Sequence, residues 1–572
     1  MRYLALCTDY DGTIAHHGRV DEPTLEALGR LRRSGRKLIM VTGREIEDLR
    51  TVFDRFDLFE RIVAENGAVL YRPATREMRS LAEPPPQSFV DALRARGVRP
   101  ISLGRSIVAT WEPHEKTVLE TIRDFGLELQ VIFNKGAVMI LPAGVNKATG
   151  LKAAIEELNL SLHNAVGVGD AENDHAFLRI CECSAAVANA LPAVKENADI
   201  VLSADHGAGV AQLIEEMLAD DLAQREPALA RRHIELGTDE AGQPVLLSPY
   251  AVNALIVGAS GGGKSTIAVG LVERLRNAGY TFCIVDPEGD YDNIEGAVIV
   301  GSPEHAPTVE ECIQLLSKHD ENAVINLLGL KLHDRPAFFL SLSAQLRDLR
   351  AKTGRPHWLI VDEAHHVTPE HWPPGEAAPP ERLDGVVVMI SVSPRLIAAN
   401  VLKNVDTLMI VGDRPGEMLR EFAEASAASV ISSPVGKLTD GTALLWRKGA
   451  NAPLQLVRLT PGRTERRRHL RKYAEGELPP DRSFYFRGPE GKLKLRAHNL
   501  ILFLDLADGV DDETWLYHLR RGEVSQWLRD SIKDESLAAE VAPIERDIHV
   551  DSAMSRRKIR ALIEERYTLP AA

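Results

Sequence analysis

Residues Tyr3 to Thr13, YLALCTDYDGT, decide the reading of the first part of the chain, because a short apolar run ends there in Asp9-Tyr10-Asp11-Gly12-Thr13. Such a run reads as a buried strand that delivers two carboxylates into a glycine-containing loop. In a parallel α/β sheet the carboxyl ends of the strands are where ligand crevices form. The helical pattern from Pro23 to Ser34, set between apolar runs, supports a sheet of that kind. Two carboxylates this close repel unless a cation holds them. Magnesium is the natural one, since it favours a few oxygen ligands and bridges to phosphate.

Three further junctions extend the pattern. Leu38 to Val41 is a second apolar strand, ending in Thr42-Gly43-Arg44, which offers a hydroxyl and backbone N–H groups to an anion. Lys147, in VNKATG, precedes the helical pattern Leu151 to Leu158 and supplies positive charge. Ala165 to Val168 runs into Gly169-Asp170-Ala171-Glu172-Asn173-Asp174, a third strand-to-loop junction that carries acids. The expectation is that all four share one crevice.

With its motifs in order as DYDGT, the threonine of VTGR, the lysine of VNKATG and GDAENDHAFL, this part of the chain resembles the haloacid dehalogenase (HAD) superfamily. The nearest likeness is to its Cof-like and sucrose-phosphatase-like branch with a large α/β cap; AENGAVLY (Ala64 to Tyr71) and VANALPAVKENADIVL (Val187 to Leu202) share that likeness. The resemblance implies a HAD Rossmann-like core over residues 1–222 with a cap inserted at about 67–140. It also implies a magnesium-dependent phosphomonoester hydrolase. Asp9 would be the nucleophile that forms an aspartyl-phosphate, and Asp11 would protonate the leaving oxygen and then activate water. Thr42, Gly43, Lys147 and Asn173 would hold the phosphoryl oxygens. Asp9, the backbone carbonyl of Asp11 and Asp170 would bind the metal, with Asp174 supporting it from outside. The expected substrate is a small phosphorylated metabolite, a sugar phosphate first.

Beyond about Asp220 the pattern loosens into a polar stretch with glycine and proline, read as a linker over 223–244. Asn253 to Val257 is then a strand leading into Gly258, Ser260, Gly261, Gly262, Gly263, Lys264, Ser265 and Thr266, followed by an amphipathic helix from Ile267 to Arg276. This is a complete Walker A loop. Its glycines let backbone N–H groups approach phosphates, Lys264 reaches the terminal phosphates, and Ser265 binds magnesium. His357 to Val361 precedes Asp362 and Glu363, which read as Walker B: Asp362 steadies the magnesium shell and Glu363 polarises the attacking water. With Asp286-Pro-Glu-Gly-Asp-Tyr291, residues 245–462 resemble the HerA/FtsK-like branch of P-loop ATPases, which implies ATP as a ligand. That branch places a glutamine or threonine sensor after the next strand. This chain has Ser391-Val392-Ser393-Pro394-Arg395 there, and Arg395 and Arg414 are its arginine-finger candidates.

The 572 residues exceed what one core organises, so several domains are expected. Hydrophobic residues at 44% and charged residues at 26% suit folded domains throughout. A net charge of -14 makes nucleic acid an unfavoured partner. Five cysteines without a CxxC pair suggest neither a zinc site nor a disulfide framework. No apolar stretch approaches the about 18 residues that span a bilayer. The expected setting is cytoplasmic, without membrane contact.

Residues 463–572 open with a basic run, Arg463 to Lys472, and continue with amphipathic periods in which Trp515, Leu516, Leu519 and Trp527 are apolar. A small, mainly helical domain is expected there. The α/β multidomain whole reads as a phosphatase fused to an ATP-binding domain that regulates it. One alternative is an oligomeric ATPase or motor with a regulatory HAD domain, which would require a homo-oligomer. Another is a polynucleotide kinase–phosphatase.

Overall fold

Ala5–Thr8 and Ala165–Gly169 are buried at every position, as strands inside a parallel sheet covered on both faces must be. The computed structural model describes residues 2–134, 136–259, 263–292, 294–372, 385–428, 436–449, 454–462, 473, 478, 480, 482–532 and 534–567. The chain divides into two units, Met1–Thr460 and Pro461–Ala572.

The first unit holds two large sheets. The first has eight strands in the order Ile200–Val201, Cys183–Ala186, Ala165–Gly169, Ala5–Thr8, Lys37–Val41, Arg61–Ala64, Val69–Arg72, Glu77–Ser80. The first six run parallel and the last two antiparallel. Local sequence explains the helices that cover it. In Glu22–Arg33, Asp21 caps the start by accepting the Thr24 N–H at 3.0 Å, Pro23 occupies the first turn, and Arg30, Arg32 and Arg33 lie in the last turn. Its buried face, Thr24, Ala27, Leu28 and Leu31, follows the i, i+3, i+4, i+7 spacing of an amphipathic helix. Each leucine buried there is worth about 1.5–3 kcal/mol.

A separate four-stranded antiparallel sheet, Ser102–Leu103, Val108–Trp111, Ala137–Pro142, Leu129–Asn134, carries the helices Gln87–Ala95 and Glu115–Phe125 and forms the cap. The cap therefore begins later than the expected residue 67. Val69–Arg72 and Glu77–Ser80 pair antiparallel onto Arg61–Ala64 and extend the core sheet, because chain leaving that strand turns back at once through Glu65–Gly67.

The second sheet has eleven strands. Seven are parallel, in the order Thr407–Ile410, Asn253–Val257, Val386–Ser391, Trp358–Val361, Phe282–Asp286, Ala323–Asn326, Val298–Val300. Antiparallel strands Thr442–Arg447, Gln455–Leu459, Ile234–Thr238 and Pro244–Leu247 continue it beyond Thr407–Ile410. The expected linker over 223–244 is thus corrected. Ala223–Arg232 is a 3₁₀ run and Ile234–Thr238 is a strand of this sheet, whose Ile234 and Leu236 enter the core.

The two sheets meet at the amino ends of their strands. Tyr280, just before Phe282–Asp286, donates its hydroxyl to Glu182, just before Cys183–Ala186, at 2.8 Å. Arg355, before Trp358–Val361, donates to the Asn159 side-chain oxygen at 2.6 Å, and Asn159 donates to the Ser317 carbonyl at 3.1 Å. The rings of His163 and Tyr280 stack with centroids 3.8 Å apart. The carboxyl ends of both sheets, where the sequence places its acids, consequently face away from each other.

The second unit packs a two-stranded sheet, Phe484–Phe486 with Leu495–Ala497, against five helices from Leu500 to Tyr567. His518 is buried there, with Nε2 accepting the Arg487 N–H at 2.9 Å and Nδ1 against Glu523 at 2.6 Å. It is a satisfied core histidine. The basic run Arg463 to Lys472 lies outside the described residues. Among the described residues no helix is long and apolar enough to cross a membrane.

Candidate functional site

Ala5–Thr8 delivers Asp9 to the carboxyl edge of the first sheet, between Ala165–Gly169, which delivers Asp170, and Lys37–Val41, which delivers Thr42. Lys147 opens the helix Lys147–Glu157, whose start is fixed by a capping box of Asn146 and Thr149. Its Nζ donates to Asp9 Oδ1 and to Asp174 Oδ1, both at 2.6 Å. The other oxygen of Asp174 accepts the N–H groups of Asp170 and Ala171 at 2.9 and 3.0 Å. The Thr13 hydroxyl lies 3.0 Å from Asp170 Oδ1 and 3.3 Å from Asp9 Oδ2. Gly12, at φ +92°, is what lets the loop pass so close, since a Cβ there would sit 2.3 Å from Asp170 Oδ2.

Asp9, Asp170 and Asp174 are all buried, with carboxylate oxygens within 4.8 Å of one another; among the described residues this is the one such group of potential metal ligands. Lys147 pairs with two of these three carboxylates, Asp9 and Asp174. Burial first, then Asp174 and Asp170, push the Asp9 carboxyl up to about 8 against the pull of Lys147. Burial would lower the lysine, but Asp174 and Asp9 more than offset that and keep it above its ordinary range. A cluster with this excess of negative charge fits a divalent cation.

Asp9 and Lys147 of this cluster line a cavity of about 870 Å³, whose other walls include the cap residues Ser102, Thr110, Trp111 and Met139. Asp11, Gly43 and Asn173 also line it. Asp11 is gripped by Arg44 through two hydrogen bonds of 2.6 and 2.8 Å. Asn173 donates to Asn66 at 3.1 Å. Thr42, expected beside the anion, is fully buried. Its hydroxyl accepts the Arg44 N–H at 3.1 Å.

The sequence reading passed over several residues of this cavity. His16, His17 and His206 line one wall; the His16 ring lies 4.1 Å from that of His17 and 4.4 Å from that of His206. His17 and His206 hold φ of 50° and 47°, unusual for bulky residues and often a mark of function. The adjacent histidines were visible in the sequence, whereas His206 is brought in only by tertiary folding. Glu65, at φ 52°, accepts the N–H groups of Arg105 and Ser106, both at 2.8 Å, and so ties the core to the cap.

At the carboxyl edge of the second sheet, Gly263 at φ 89° leads into the helix Lys264–Asn277. Lys264 is buried and donates to the Ala259 carbonyl at 3.3 Å. Gly258 ends the strand before the loop and Ser265 and Thr266 follow the lysine, while Ser260, Gly261 and Gly262 lie outside the described residues. Asp362 is buried and accepts the Glu363 N–H at 2.9 Å. Burial raises Glu363 to about 7, with Lys264 pulling the other way. Burial likewise raises Asp286 to about 6, although it accepts the N–H groups of Tyr291 and Asp290. The Ser391 hydroxyl stands where a sensor side chain was expected and lies 3.3 Å from His365 Nδ1. Arg395 pairs with Glu424 at 2.9 Å and Arg414 with Glu417 at 3.3 Å, both within the chain.

Two family models match. One, described as haloacid dehalogenase-like hydrolase, matches residues 6–102 and 107–214; the other, described as the central domain of the helicase HerA, matches residues 234–348. A phosphoglycolate phosphatase of Methanothermobacter thermautotrophicus is 31% identical over 225 residues, 37% of this chain and 98% of that protein. Phosphoglycolate phosphatase 2 of Saccharolobus solfataricus is 29% identical over 230 residues, 39% of this chain and 95% of that protein. Among solved structures, a haloacid dehalogenase-like hydrolase from Bacteroides thetaiotaomicron aligns at 18% identity over 38% of this chain and 99% of that one, with a TM-score of 0.35.

Proposed function

The chain belongs to the haloacid dehalogenase-like hydrolases through its first 214 residues, and on that premise we propose that Asp9 is the nucleophile of a phosphatase for small phosphomonoesters. The observation that carries the reading is the buried contact of Lys147, in the wall of the capped cavity, with Asp9 and Asp174. The domain limits we adopt are 1–222 for the hydrolase, with the cap within it, up to 462 for the ATPase-like part, and 463–572 for the last domain.

In this reading an Asp9 oxygen attacks phosphorus as the bond to the ester oxygen breaks, and Asp11 gives that oxygen its proton. Water then attacks the aspartyl-phosphate, Asp11 takes the proton back, and inorganic phosphate leaves with Asp9 restored. For this Asp11 must leave the two-pronged grip of Arg44, so substrate entry has to rearrange that pair. Lys147 neutralises charge on the phosphoryl oxygens, and Gly43 and Asn173 orient the group from the cavity wall. Thr42, whose hydroxyl accepts the Arg44 N–H and keeps its own proton to donate, would hold a phosphoryl oxygen with them. Asp9, Asp170 and the Asp11 backbone would hold magnesium, with Asp174 bracing them; bound there, the ion supplies Lewis-acid stabilisation of phosphoryl charge.

The ATPase-like half would bind ATP through the Gly258 to Thr266 loop, with Ser265 and Asp362 at its magnesium and Glu363 polarising water. Regulation of the phosphatase by this half is our preferred relation.

Phosphoglycolate, named for the relatives, is the first ester to test, beside sugar phosphates. With magnesium, wild type should release phosphate from at least one, and Asp9→Asn should lower the rate on the order of 10³-fold or more while leaving ATP turnover intact. Equal release by both proteins would reject Asp9 as nucleophile.

A further inference from the structure

Asp11 is held twice. Arg44 grips its side chain, and the backbone that follows it is fixed from another part of the fold. The Gly12 N–H donates to the Ala15 carbonyl at 3.0 Å. The Gly12 carbonyl faces two side-chain nitrogens, Asn189 Nδ2 at 2.7 Å and His206 Nδ1 at 2.9 Å. A carbonyl oxygen only accepts, so Nδ1 of the imidazole carries a proton and donates it.

Neither donor is free to drift. Asn189 uses its other amide atom, Oδ1, to accept the His206 N–H at 2.8 Å, at the first residue of the helix His206–Asp220. Three hydrogen bonds therefore close a ring through Gly12, Asn189 and His206. The His206 ring is also stacked on that of His16, with centroids 4.4 Å apart. Asn189 lies in the turn that follows Cys183–Ala186, and farther along it the Leu191 N–H donates to the Asp170 carbonyl at 2.9 Å. One turn thus sets the loop that carries Asp11 against the loop that carries Asp170.

This is more than a satisfied carbonyl requires. One partner is enough for that, and the second comes from a histidine whose backbone is in the left-handed region at φ 47°, a conformation that persists where surrounding structure enforces it and function uses it. On the phosphatase reading, on which this inference rests, the Asp11 carboxyl leaves Arg44 and gives its proton to the ester oxygen as the bond from that oxygen to phosphorus breaks. A backbone that moved with it would bring the proton out of line. With Gly12 held at both its N–H and its carbonyl, only the side-chain torsions of Asp11 need change. We propose that Asn189 and His206 are positioning residues for this acid step: they hold the Gly12 carbonyl so that Asp11 turns on a fixed backbone toward the leaving oxygen.

The leaving group supplies the test. An alkyl ester departs readily only if its oxygen is protonated, whereas p-nitrophenyl phosphate expels a stabilised phenolate that needs little help. The full-length chain is assayed at saturating magnesium with p-nitrophenyl phosphate and with the fastest of phosphoglycolate and a panel of sugar phosphates. The readout is kcat/KM, which covers the steps through departure of the alcohol. Asn189→Asp, which loses the donor and keeps the acceptor, and His206→Leu should each lower it about tenfold or more for the alkyl ester and less than about threefold for p-nitrophenyl phosphate. His206→Asn, which keeps an N–H donor and suits a left-handed backbone, should stay within about threefold of wild type on both. Unchanged circular dichroism shows that each variant folds. An equal loss on both esters, no loss on the alkyl ester, or a loss in His206→Asn as deep as in His206→Leu overturns the proposal. So does wild-type hydrolysis confined to p-nitrophenyl phosphate, since no acid would then be at work. Hydrolysis of neither kind of ester by wild type, or equal rates with Asp9→Asn, removes the phosphatase reading itself and the proposal with it.

Discussion

Glu363 holds its backbone at φ 36°, ψ 54°, in the left-handed region, and buries Oε2 without a hydrogen-bond partner. A non-glycine residue pays about 1–3 kcal/mol for such a conformation, which is sustained here by the packed strand Trp358–Val361 behind it. In the role proposed for it, as a base, Glu363 would work only when ionised. With its carboxyl raised to about 7, kcat/KM for ATP should climb as pH rises through about 7 and flatten above it. Glu363→Gln should abolish that limb and lower turnover on the order of 10²-fold, with ATP binding retained. A pH-rate profile of both proteins, beside nucleotide titration, measures it. Some of the residue scale was legible in advance: apolar run, acid and glycine mark a strand end, so Asp9, Asp170 and Asp362 could be placed at sheet edges from the sequence alone. The grip of Arg44 on Asp11 and the histidine wall were not, because each depends on side chains that only the folded chain brings together.

Among elements, the helix Lys147–Glu157 does the most to set the phosphatase geometry, since Lys147 is its first residue and any change in its entry angle moves the ammonium. Asn146 accepts the N–H groups of Ala148 and Thr149 at 2.9 and 3.1 Å. Gly67, at φ +102°, lies so near that a Cβ would meet the Asn146 carbonyl at 1.9 Å. Asn146→Ala should cost about 1 kcal/mol of stability and lower ester kcat/KM about tenfold or more through misplacement of Lys147. Asn146→Asp, which keeps the cap, should lose far less on both measures, read by thermal melting and steady-state kinetics. Sequence patterns located this helix and the parallel strands because their periodicity is strong. They missed Val69–Ser80 and Ile234–Leu247 as sheet extensions, since a short antiparallel pair carries the same polar and turn residues as a connector.

At the scale of the molecule, the join between the two large sheets rests on Glu182. Burial alone would raise its carboxyl, but hydrogen bonding to His163 and the charges of His163, Arg2 and Arg232 hold it at about 2. The group is depressed on folding, so its contribution is complete above the ordinary glutamate range and disappears as pH falls from about 4.5 toward 2. Glu182→Gln should therefore cost about 3 kcal/mol at neutral pH. It should also split one unfolding transition of residues 1–460 into two, seen by calorimetry; a single unshifted transition would show that the join lies elsewhere. Joining at the amino ends has a further result. Strands of four or five residues, at about 3.3 Å each, stand between the join and each row of acids, so the two crevices open in opposite directions, roughly 30 Å or more apart. On the proposed function, phosphate split from ATP at one end would have to diffuse into open solution and mix there before reaching the other. Isotope carried on the γ-phosphate would be diluted by any unlabelled phosphate present, and product inhibition of the phosphatase would register the bulk concentration, not the turnover of its own partner domain.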